Sequence, residues 1–211
     1  MVRIPAHLGY EEAACLPCAG LTAWHSLNHV GRITSGDTVL LLGTGGVSIF
    51  ALQFAVAQGA RVIVTSSSEE KLARVRDLGA WQTINYRDNA SWDDIALALT
   101  NGRGVDHVVE TGGGGTLAQS ISAVRVGGSI GLIGVLTGGT IDPTAIMRKS
   151  INLQGIYVGS RAMFEQMNRA IEANTVFPVI DKVFSFEDAP DAYRRMQGAS
   201  HLGKIVITVK E

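Results

Sequence analysis

The feature that most constrains the fold is an apolar run broken by glycines and restarted as a helix. Thr38–Leu42 (TVLLL) is short and continuously apolar, as a strand buried on both faces must be. The turn Gly43-Thr44-Gly45-Gly46-Val47-Ser48 follows at once. Residues 46–58 (GVSIFALQFAVAQ) then read as a helix, closed by Gly59.

The same alternation runs down the chain. Arg61–Thr65 reads as a second buried strand, and 68–78 as a helix with Ser68 as its N-cap and Gly79 beyond its end. Strands are expected at Trp81–Asn85, Val105–Glu110, Gly128–Val135 and Ile151–Val158, with helices at Trp92–Thr100, Thr116–Val124 and Arg161–Ala173. A helix over 11–30 precedes the first strand, and the tail reads as strand Lys182–Phe186, helix Glu187–Met196 and strand Gly203–Val209. Strands alternating with helices imply right-handed βαβ crossovers. The expected fold is α/β, a Rossmann doubly wound parallel sheet in a three-layer αβα sandwich.

In that setting the glycine turn resembles a dinucleotide-binding G-x-G-x-x-G, with Ser48 where the third glycine belongs. Gly43 allows the tight turn, Gly45 lets the backbone approach a pyrophosphate, and the free N–H groups of the helix starting near Gly46 meet its charge. Gly43, Gly112–Gly115, Gly134 and Gly138-Gly139 all fall just past expected strand ends, where open sheets bind ligands, and suggest a backbone-lined trough. NAD binders place a carboxylate at the end of the second strand. Here that end reads Thr65-Ser66-Ser67-Ser68, with Lys71 and Arg74 nearby, which favours the 2′-phosphate of NADP over NAD. No Walker A loop is present, and no tyrosine has a lysine four residues on, since Tyr157 is followed by Arg161. A net charge of −1 gives no reason to expect nucleic acid. With no apolar run of about 18 residues and no leader-like N-terminus, no membrane association is expected, and the cytoplasm is.

Taken together, EEAACLPCAGLTAW (11–24), GTGGVS (43–48), EEKLARVRDLGAWQTINYRD (69–88), GRGVDHVVE (102–110) and GKIVI (203–207) resemble the nucleotide-binding half of medium-chain dehydrogenases/reductases, the alcohol dehydrogenase and quinone oxidoreductase superfamily. The resemblance implies a cofactor site formed by Thr22, Gly43, Thr44, Gly45, Gly46, Val47, Ser48, Ser66, Ser67, Lys71, Tyr86, Gly112, Ile133, Gly134, Val135 and Lys204. Lys71, Tyr86 and the serines would meet the 2′-phosphate, Thr22 the nicotinamide-side ribose, and Lys204 the pyrophosphate. It assigns 21–176 to the Rossmann domain, and 1–20 and 177–211 to the side of an N-terminal GroES-like catalytic domain absent from this sequence. The chain is thus expected to be a fragment that binds NADP but turns over poorly, with no catalytic residue of its own. Edge strand 151–158 is expected to build a homodimer.

Cys18 matches a third zinc ligand of zinc-dependent members, but its companion ligands would lie in the missing domain, so no zinc is expected. Two other readings stay open. One is a non-catalytic nucleotide-sensing module, which needs the turn but no catalytic domain. The other is a thiol redox protein using the C-x-x-C pair Cys15 and Cys18, although that pair lacks the strand that usually precedes it.

Overall fold

A computed structural model describes residues 1–209. Lys210 and Glu211, the last two residues of the expected 177–211 segment, lie outside the described residues. Six strands form one parallel sheet: β1 (Thr38–Leu42), β2 (Arg61–Ser66), β3 (Gln82–Asn85), β4 (Val105–Glu110), β5 (Val124–Leu132) and β6 (Asn152–Gly155). Their order is β3-β2-β1-β4-β5-β6, the doubly wound order, with its switch point between β1 and β4.

Side chains alternate across each strand, so β1 feeds two cores. Val39 and Leu41 face one layer, which contains α3 (Gly46–Ala57), α4 (Glu69–Asp77) and α8 (Arg161–Ala173). Leu40 and Leu42 face the other, built on α5 (Trp92–Leu99) and α6 (Gly114–Ala123). Helix α3 buries Ile49, Phe50, Ala51, Leu52, Phe54 and Ala55. It is apolar nearly all round because the sheet lies on one side of it and the N- and C-terminal segments on the others.

Three expectations are adjusted. The N-terminal helix is not continuous. Short α1 (Tyr10–Ala13) and α2 (Leu21–Trp24) alternate with π-type turns at Leu16–Gly20 and His25–Gly31, and Pro17, which has no N–H to give, opens the first of these turns. Edge strand β6 is only four residues long, because β5 ends at Leu132 opposite Gly155 and Val158 turns the chain with φ 57°. A further helix, α7 (Pro143–Lys149), stands where none was expected, started by Asp142, whose carboxylate accepts from the Thr144 N–H at 2.9 Å.

The tail adds β7 (Ile180–Ser185), α9 (Ala189–Gln197) and β8 (Lys204–Thr208), with β7 and β8 paired in parallel. This small sheet packs on the main core through Leu202 and Val206. Gly203 bridges to Gly45, and its N–H donates to the Thr44 carbonyl at 3.0 Å. The tail thus reaches the glycine turn.

Candidate dinucleotide site

The turn after β1 is built for close approach. Gly43 has φ 72°, a left-handed conformation open to glycine, and a Cβ added at Gly43 or Gly45 would meet nothing within 4 Å. Helix α3 starts at Gly46 with no side chain capping its first N–H groups. Those donors and the helix dipole face open space that suits a phosphate. Ser48, the departure from the motif, is buried, and its hydroxyl donates to the Leu42 carbonyl at 2.7 Å. It therefore ties helix to strand where a third glycine would only have let them pack closely.

A cleft of about 520 Å³ opens over this turn. Gly43, Thr44, Gly45, Gly46, Val47, Ser48, Ser66, Ser67, Lys71, Tyr86, Ile133, Gly134 and Val135 all line it. Gly112 lines an adjoining hollow of about 440 Å³, which shares Leu42, Gly43, Tyr86, Thr111 and Leu136 with the first. Thr22 is buried in α2 and does not line the cleft. Neither does Lys204, whose side-chain stem packs against Gly46, nor Arg74.

No carboxylate is among the lining residues. At the β2 end, Ser66 accepts from the Ser68 N–H at 3.3 Å, and Ser68 caps α4 by accepting from the Lys71 N–H at 3.3 Å. Lys71 Nζ donates to the Ala199 carbonyl at 2.7 Å. Burial pulls its pKa below the usual lysine value, against the pull of Asp181 and Glu70. Sequence reasoning missed Thr111, Leu136, Ala199 and His201. The last two come from more than a hundred residues downstream, and no local pattern announces them.

The trough of glycines is only partly a trough. Beyond Gly112, the β4–α6 turn is packed solid. A Cβ on Gly114 would come within 2.5 Å of the Gly139 nitrogen, and one on Gly139 within 2.4 Å of the Gly114 carbonyl oxygen. Here the glycines let two backbones touch. Glu110, fully buried at the end of β4, accepts from the Gly112 N–H at 2.8 Å, the Gly113 N–H at 3.0 Å and the Thr116 hydroxyl at 2.7 Å, and from Ser120 on its other oxygen.

The first cysteine of the C-x-x-C pair is not an activated thiol. Cys15 is buried, its thiol donates to the Glu11 carbonyl at 3.4 Å, and burial pushes its pKa up, the reverse of what a nucleophilic thiol needs. Cys18 is exposed. Among the described residues, no group of three or more His, Cys, Asp and Glu could hold a metal ion, and no helix is long and apolar enough to cross a membrane.

Known proteins share this architecture. The family model described as zinc-binding dehydrogenase matches residues 46–173. A zinc-type alcohol dehydrogenase-like protein of Schizosaccharomyces pombe is 45% identical over 99% of this chain and 63% of its own length. A solved structure described as an NAD-dependent alcohol dehydrogenase superposes with a TM-score of 0.91 at 32% identity, over 99% of this chain and 62% of that one. A mycobacterial structure complexed with NADPH gives a TM-score of 0.87 at 27% identity, over 99% of this chain and 67% of that one. The chain therefore spans a little over three fifths of the first two relatives' length. It belongs to the zinc-binding dehydrogenase family, within the medium-chain dehydrogenase/reductase superfamily, and corresponds to its nucleotide-binding domain.

Proposed function

We propose that this chain is the cofactor-binding domain of an NADP-dependent oxidoreductase that moves hydride between nicotinamide and a carbonyl, alcohol, quinone or enone. The observation that carries the reading is the cleft lining. An open glycine turn adjoins Ser66, Ser67, Lys71 and Tyr86, with no carboxylate to repel a 2′-phosphate. The uncapped start of α3 would hold the pyrophosphate, and the serines and Lys71 the 2′-phosphate. Ile133, Gly134 and Val135 would flank the nicotinamide end. Bound nicotinamide supplies the hydride, and the chain's work is to grip and orient it. The relative solved with NADPH supports this choice, while the NAD-dependent one marks the alternative.

Calorimetry with NADPH and NADH on the wild type and on Lys71→Ala tests the assignment. Loss of one charge-assisted contact weakens NADPH by about 1.5–3 kcal/mol and leaves NADH almost unchanged. Equal losses for both refute the role of Lys71.

On the same reading the chain alone turns over poorly, since it spans 63% of the Schizosaccharomyces pombe relative. Sustained reduction of a quinone or aldehyde by this chain would contradict that. As the sheet's edge, β6 is also proposed to meet a second copy of the chain, and light scattering at monomer mass would remove that contact.

A further inference from the structure

The segment 199–203 closes one wall of the cleft, and it is pinned on both sides of His201. Lys71 Nζ holds the Ala199 carbonyl at 2.7 Å. The Leu202 N–H donates to Asp181 Oδ1 at 3.1 Å, and Arg195 Nε grips the other oxygen of Asp181 at 2.5 Å. The Gly203 N–H donates to Thr44 in the glycine turn at 3.0 Å. The backbone that carries His201 is therefore fixed relative to both Lys71 and the turn.

The His201 ring has no such anchor. His201 lines the cleft, yet its Nδ1 is buried without a hydrogen-bond partner among the described residues. A buried ring nitrogen without a partner is an anomaly that calls for a ligand or an ordered water. The charged groups around it come from four elements: Lys71 on α4, Asp181 on β7, Arg195 on α9 and Lys204 on β8. Three of these four are cations, so the surroundings favour an anion.

We propose that His201 is a phosphate ligand of this cleft, donating a ring N–H to a phosphate oxygen of the bound dinucleotide. The inference rests on the dinucleotide reading above and adds a pH dependence to it. Burial and the Lys71 charge hold the free imidazole's pKa below its usual value, against the pull of Asp181. A phosphate beside the ring favours the imidazolium, so binding draws a proton onto His201. The contact is strongest where the ring is charged and fades as pH rises.

The test is calorimetry of NADPH and NADH in two buffers of different ionisation enthalpy, from about pH 6 to pH 8, on wild type, His201→Gln and His201→Asn. The 2′-phosphate titrates near pH 6 by itself, so the difference between wild type and variant is what is read. Wild type is expected to take up more protons on binding NADPH than either variant. The variants should bind NADPH about tenfold more weakly near pH 6, and about twofold or less near pH 8. If the difference appears with NADPH alone, the partner is the 2′-phosphate. If it appears equally with NADH, the partner is the pyrophosphate. Identical proton uptake and identical pH profiles in wild type and variants overturn the inference and leave the cofactor reading standing. Failure of the wild type to bind either dinucleotide overturns the cofactor reading, and this inference with it.

Discussion

Two strand–turn–helix units meet at the switch point of the sheet, and they use the same topology in opposite ways. The β1–α3 turn leaves its helix N-terminus uncapped beneath open space, and a Cβ on Gly43 or Gly45 would touch nothing. The β4–α6 turn is filled from within, because the Glu110 side chain accepts from the Gly112 and Gly113 N–H groups and from the Thr116 and Ser120 hydroxyls. β4 is also the strand that carries buried ionisable groups. Asp106 accepts from Arg103, Arg125 and the Thr38 N–H, and His107 lies between the Ser26 and Ser129 hydroxyls at 2.8 Å each. β1 carries none. The first N–H groups of α3 have no capping side chain. At α6, by contrast, the Gly114 and Gly115 N–H groups donate to the Thr137 carbonyl at 3.0 Å and hydroxyl at 2.8 Å, and Glu110 takes the two N–H groups just before them.

The largest expected break in this contrast is Glu110→Ala. It leaves the buried Gly113 N–H and Ser120 hydroxyl without their partner, and should destabilise the chain by about 2–4 kcal/mol in urea unfolding. A loss below about 1 kcal/mol would mean that Glu110 does not hold this turn together.

Glycine substitutions sharpen the comparison next. Gly114→Ala drives a methyl into the Gly138–Gly139 backbone and should cost about 2–3 kcal/mol of stability. Gly45→Val enters free space, so stability should change by no more than about 1 kcal/mol while NADPH binding weakens by about 2–3 kcal/mol. The reverse pattern, a fragile Gly45 and a tolerant Gly114, would invert the assignment of open and closed turns.

Taken over a single pH unit, acid gives the smallest effect. Burial holds the His107 pKa down to about 3, against the pull of its Ser129 hydrogen bond. In the unfolded chain it titrates near 6.5, so the unfolded state binds the extra proton between those values. The stability it contributes is complete above about pH 6.5 and is lost as pH falls toward 3, by up to about 1.4 kcal/mol per pH unit. Asp106 adds little in the upper part of that window. Burial raises its pKa, but the hydrogen bonds of Arg103, the Thr38 N–H and Arg125 outweigh that and hold it at about 2. A His107→Gln variant should flatten the slope between about pH 6.5 and 4, and an unchanged slope would remove His107 as its cause.

The contrast also explains what could be read from residues alone. β1, β4 and α8 appear with the bounds expected of them: the apolar run of β1 and the cap of α8 depend on local sequence, and β4 keeps its bounds although it carries Asp106, His107 and Glu110. The glycines of the second turn read like those of the first. What separates them is Glu110, whose partners are set by side-chain geometry, and the approach of Gly139 to Gly114, which is a tertiary contact. Helix α7 was legible in hindsight from Asp142-Pro143, a cap followed by proline at the first helical position. His201 was not, since only the pairing of β7 with β8 and the bridge from Gly203 to Gly45 carry it to the cleft.

The most direct measurement is a crystal structure of this chain with NADPH bound. The account predicts a pyrophosphate over the Gly43–Ser48 turn, contacting the first N–H groups of α3, and a 2′-phosphate among Ser66, Ser67 and Lys71. A dinucleotide seated away from that turn, or a 2′-phosphate directed into solvent with Lys71 still bound to the Ala199 carbonyl, would contradict it.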